Sequence, residues 1–71
     1  MNKTFMSGYY QGVIETAHTT LSAAKTEQLA ITMTTLHFRH AGINITSIHD
    51  FLVNDLHANK RLVNKYINFK C

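Results

Sequence analysis

Apolar residues recur at steps of three and four along most of this chain, the spacing of a helix face. The first such stretch runs from about Thr4 to Thr20. Phe5, Tyr9, Val13 and Ala17 fall at steps of four, with Met6, Tyr10 and Ile14 beside them. Gly8 and Gly12 weaken this helix by about 1 kcal/mol each relative to alanine, and its first few residues are expected to fray. A second helix is predicted from Ser22 or Ala23 to Ala41. Leu29, Met33, Leu36 and the stem of His40 make one face, flanked by Ile31 and Phe38, so a wide apolar arc is expected to be buried on two sides. Gly42 stands where a left-handed helix-ending residue belongs. A third helix is predicted over 47–57, capped by Thr46 or Ser47, with Ile48, Phe51, Leu52 and Leu56 as its stripe. Asn59 can cap a fourth, from Lys60 to about Phe69. No clean apolar–polar alternation and no hairpin turn appears. The pattern predicts an all-α bundle of three to four helices.

The sequence has 71 residues, 45% of them hydrophobic. That suits one ordered domain over 1–71 and a thin core. A homodimer is the expected way to complete such a core. The sole cysteine, Cys71, permits no internal disulfide, which fits a reducing compartment such as the cytoplasm. Ser7, Gly8, Gln11 and Gly12 interrupt any targeting-type apolar run. No stretch approaches the roughly 18–20 apolar residues of a membrane span, so no membrane role is expected.

The net charge of +3 is unevenly placed. Lys60, Arg61, Lys65 and Lys70 all lie within 60–71, which contains no acid. Glu15, Glu27, Asp50 and Asp55 all come earlier. A basic end favours an anionic partner, and it also suits the negative end of a helix dipole. Spacing adds to this. Arg61, Asn64, Lys65 and Asn68 share one face of the fourth helix, while Leu62, Val63, Tyr66 and Phe69 face away. Arginine can pair bidentately with guanine, and asparagine with adenine. Arg61, Asn64 and Lys65 are therefore the candidate base contacts, with Asn68 next, and Lys60 and Lys70 the candidate phosphate contacts. A protein partner on the same face remains the alternative.

Residues 52–67, Leu-Val-Asn-Asp-Leu-His-Ala-Asn-Lys-Arg-Leu-Val-Asn-Lys-Tyr-Ile, resemble the core of bacterial helix-turn-helix regulators. Leu52, Leu56, Val63 and Ile67 match the apolar spacing of that pattern. Val53 falls where a small residue packs between the helices. His57 takes the turn position usually held by glycine, Ala58 the apolar turn position and Asn59 the cap of the recognition helix. Valine is bulky for its place, and His57 must adopt a positive φ. The resemblance covers about a quarter of the chain. It implies a helix-turn-helix-like C-terminal pair, a fourth helix that enters the major groove, and regulation of transcription. In a dimer it would place two such helices about one DNA turn (~34 Å) apart. A fainter likeness spans residues 27–56, where Glu27, Leu29, Leu36, Gly42, Asn44, Thr46, Ile48, Leu52 and Leu56 follow an order similar to small enterobacterial biofilm-regulator and two-component-connector proteins. It implies a short helical regulator and transfers no functional residues. The alternative function is a non-enzymatic adaptor or inhibitor that binds a regulatory protein and not DNA.

Other chemistry finds little support. His37 and His40 are three apart, as are Glu15 and His18, but zinc requires three or four converging ligands. Neither metal nor cofactor is expected. The carboxylates are scattered, Cys71 has no environment to lower its pKa, and Gly8 and Gly12 lack a following Lys-Ser/Thr. No enzyme and no small-molecule substrate is expected.

Overall fold

The computed structural model describes residues 3–67. Four α-helices follow one another: α1 (Lys3–Ala17), α2 (Ala23–His40), α3 (Ile45–Asp50) and α4 (Lys60–Tyr66). A π turn over Phe51–Asp55 continues α3. No strand occurs among the described residues, so the all-α bundle is the observed fold. No helix among them is long and apolar enough to cross a membrane.

Each boundary has a local cause. α1 stops at Ala17, short of the expected Thr20. There the threonines compete for backbone acceptors: the Thr19 hydroxyl donates to the Thr16 carbonyl at 3.1 Å and the Thr20 hydroxyl to that of Ala17 at 3.4 Å. Ser22 caps α2, its hydroxyl oxygen accepting from the Lys25 N–H at 3.3 Å. Gly42, at φ 91°, ends α2, with the Ile43 N–H donating to the Phe38 carbonyl and the Gly42 N–H to that of Arg39. α3 begins two residues before the expected Ser47, because Asn44 and not Thr46 or Ser47 is the cap. The Asn44 side-chain oxygen accepts from the Thr46 N–H at 2.7 Å.

α2 is the central element. It packs against α1, α3 and α4, and the α1–α2 hairpin is the largest helix contact. Met6 and Tyr10 of α1, Ala30, Ile31 and Phe38 of α2, Ile48, Phe51 and Leu52 of α3 and the π turn, and Val63 of α4 build one core. Phe38 is edge-on to Phe5 and to Tyr9, with centroids 6.0 and 5.7 Å away.

The expected core stripe of α2 is corrected by this packing. Leu29 and Met33 are 38% and 40% exposed, and His40 is exposed. The buried face carries Thr26, Ala30, Ile31, Thr34, Thr35 and Phe38. A helix contacted by three neighbours has room for only a few bulky residues at the contacts, here Ile31 and Phe38, and needs small ones between them. Threonine and alanine meet that need where leucine and methionine would not. α1 is corrected likewise. Its buried residues are Met6, Tyr10 and Ala17, and Phe5 stays 60% exposed.

The use of threonine has an energetic cost. The Thr34 and Thr35 hydroxyls are buried and have no hydrogen-bond partner among the described residues. An unpaired buried hydroxyl costs about 1–3 kcal/mol of desolvation. Thr34→Val and Thr35→Val, which keep the branched shape, are each expected to stabilise the fold by about 1 kcal/mol. Thermal melts should then rise by about 4–8 °C per substitution. An unchanged or lower midpoint for both would show that the hydroxyls are satisfied.

Candidate functional site

α3 and α4 are joined through the π turn and a connection from Leu56 to Asn59. In the π turn the Leu56 N–H donates to the Phe51 carbonyl, five residues back, at 3.1 Å. The widened turn carries the adjacent Phe51 and Leu52 into the core together. His57 then takes φ 55°, the positive angle its place in the turn requires. The Ala58 N–H folds back onto the Leu52 carbonyl at 2.9 Å. Ala58 is buried, and Asn59 caps α4 by accepting from the Leu62 N–H at 3.2 Å. The third element therefore departs from the expected helix over 47–57 by ending in a π turn. The turn residues and the Asn59 cap are as expected.

α4 presents two sides. Val63 and the following Ile67 are buried, and Leu62 and Tyr66 are half-buried against the core. Arg61, Asn64 and Lys65 are exposed and lie within about 100° of helical arc. Lys60 is exposed beside them. Lys65 Nζ lies 5.4 Å from the Tyr66 ring centroid, within cation–π range. Asn68 and Lys70, the outer members of the expected set, lie outside the described residues, as does Phe69.

Two contacts at this site have no trace in local spacing. His49 Nε2 lies 2.8 Å from Asn64 Oδ1, tying α3 to α4 across a furrow of about 230 Å³ that Ile45, Thr46 and Ile67 also line. One of the candidate base-reading groups is therefore engaged within the chain. The second is Glu27, half-buried on α2, whose Oε2 accepts from the Asn59 N–H at 2.9 Å. A carboxylate there satisfies a donor at the start of α4 and suits its positive end. The same carboxylate lies near Tyr10, whose phenol is pushed up to about 12, chiefly by burial and secondarily by Glu27.

The remaining ionisable groups are dispersed. His37 is stacked on Tyr9 with centroids 4.5 Å apart. Lys3 Nζ meets Asp55 Oδ2 at 3.0 Å, an exposed pair that pins α1 loosely to the π turn. No group of three or more His, Cys, Asp or Glu comes together among the described residues to hold a metal. No protein-family model, curated protein or solved structure matches the chain.

Proposed function

We propose that this chain is a small regulatory protein that binds DNA through α4. The observation that carries the reading is the solvent-facing arc of Arg61, Asn64 and Lys65 on a helix whose other side is seated on α2 and the π turn. A helix seated on the fold with cationic and amide groups outward can enter a major groove. Arg61 and Lys65 supply base-edge or phosphate contacts, and Lys60 supplies charge at the helix start. Asn64 reads adenine bidentately only after exchanging its bond from His49. The function would be transcriptional regulation, with Asn68 and Lys70 extending the contact surface.

The second reading is a non-enzymatic adaptor or inhibitor that docks on a regulatory protein. The His49–Asn64 bond favours it, because that bond removes one base-reading group from the arc.

Titration of a random duplex by fluorescence anisotropy separates the two. Four cationic contacts per chain, from Lys60, Arg61, Lys65 and Lys70, give a log–log salt slope of about −3.6, so affinity falls about 150-fold between about 50 and about 200 mM salt. Arg61→Ala with Lys65→Ala should weaken binding about a hundredfold and flatten the slope by about two, with the helical circular dichroism unchanged. Absence of duplex binding at low salt would sink the DNA reading and leave the adaptor. Pull-downs that recover no protein partner would sink the adaptor.

A further inference from the structure

The side of α2 that faces away from the core carries a regular, largely apolar stripe. Leu29, Met33, Leu36 and His40 follow one another at steps of four, three and four, the spacing of a coiled-coil seam. Beside it, α1 repeats the same steps in Phe5, Tyr9, Gly12 and Thr16. The two stripes flank a furrow of about 490 Å³. A side chain built at Gly8 or Gly12 would meet no atom within 4 Å, so the floor of the furrow is open. Two helix-interior glycines cost about 1 kcal/mol each. No described residue packs against them closely enough to require them to be small.

We propose that a second copy of this chain covers this face. The two α1–α2 hairpins then form a four-helix bundle about a two-fold axis parallel to the helices. Three observations name that occupant. First, both stripes have seam spacing, so Leu29 and Met33 of each copy can enter the furrow of the other as knobs into holes. Second, the area is adequate. α1 has 15 residues, about 22 Å of helix, and two helices side by side are about 20 Å wide. That gives about 450 Å² of flat face per copy and about 900 Å² for the pair before relief is counted, close to the roughly 1,000 Å² of a specific interface.

Third, the charges are complementary under that axis. Along the stripes only Tyr9 and His40 carry ionisable groups, with His37 stacked on Tyr9 at their margin. Exposed Glu15 borders the outer flank of the α1 stripe near Thr16, and exposed Lys25 borders that of the α2 stripe near Leu29. The hairpin brings these ends together, as Thr16, Ala17 and Leu29 share the furrow. Rotation about the proposed axis sets α1 against α2 of the other copy with like ends aligned. Glu15 of each copy then lies beside Lys25 of the other. The basic side of α4 is directed elsewhere, because α4 packs on the buried face of α2, so it adds little repulsion at the seam. This assembly does not rest on DNA binding, and either can fail without the other.

Sedimentation equilibrium of the full chain tests it. The mass should rise from 8.1 kDa toward about twice that value with concentration. Met33→Glu, at a 40% exposed position, should keep the helical circular dichroism and hold the chain monomeric. Leu29→Lys serves as a second such variant. Glu15→Lys and Lys25→Glu should each weaken self-association about five- to tenfold, and an equimolar mixture of the two should recover a heterodimer of ordinary affinity. Only pairing between copies produces that recovery. A chain that stays monomeric to about 1 mM overturns the proposal, and so does a Met33→Glu chain that dimerises like the unaltered one. A mixture without recovery overturns the axis. A monomeric chain that takes up a fatty acid or apolar dye in the furrow also overturns it, giving the face a small ligand instead.

Discussion

Leu52→Ala is expected to cost about 3–4 kcal/mol and to leave much of the population unfolded at 37 °C. Leu52 is 0% exposed, with Ile48 and Phe51 beside it in the core. Its carbonyl also accepts the Ala58 N–H that closes the turn into α4. Truncation to alanine leaves a cavity of several methyl groups in a core that has few layers to collapse around it. A chain of 71 residues has about 4–11 kcal/mol of stability in all, so one such loss is a large part of the total. Urea denaturation followed by circular dichroism would show the midpoint shift. A shift below about 1 kcal/mol would mean that Leu52 is not at the centre of the packing. Leu29→Ala, a similar deletion on the exposed face, should cost much less in the monomer.

Glu27→Ala is expected to cost about 2 kcal/mol, with the loss concentrated in α4. The substitution removes the acceptor of the Asn59 N–H and a negative charge at the start of a helix with no acid in its own first turn. Glu27→Gln keeps an acceptor and should recover about half of that loss. A separate readout follows from Tyr10. Removing the Glu27 charge takes away one of the two causes that hold the phenol near 12, so tyrosinate absorbance should appear at lower pH in Glu27→Gln. In the unaltered chain the folded phenol is raised above its unfolded value of 10.0. The stability linked to it is therefore complete below about pH 10 and is lost as pH climbs through about 12. If tyrosinate titration is identical in Glu27→Gln, the coupling is absent.

Local signals in the sequence were enough to give the number of helices, the Asn59 cap, the left-handed Gly42 and the positive φ of His57. Each depends on residues within a few positions of one another. The inward face of α2 was not legible. Hydrophobicity pointed to Leu29 and Met33, whereas close approach of three neighbours selects Ala30, Thr34 and Thr35, and that demand is visible only in three dimensions. Glu27–Asn59 and His49–Asn64 link residues 32 and 15 positions apart, with no periodicity to announce them. The π turn was equally hidden, since Phe51, Leu52 and Leu56 read as an ordinary stripe. On α4 the outward arc of Arg61, Asn64 and Lys65 was legible because one short helix with a buried Val63 leaves few ways to orient the rest.

The bond between Glu27 and Asn59 also bears on the order in which the chain assembles. The α1–α2 hairpin closes over a short connection, whereas the seat of α4 requires closing a much longer loop. The two halves should therefore behave as separate cooperative units in amide hydrogen exchange. Central amides of α2 would be protected up to global unfolding, while those of α4 would exchange through a smaller opening that releases the helix from Glu27 and leaves the hairpin intact. The proposed contact face would then be carried by the last element to fold and the first to open.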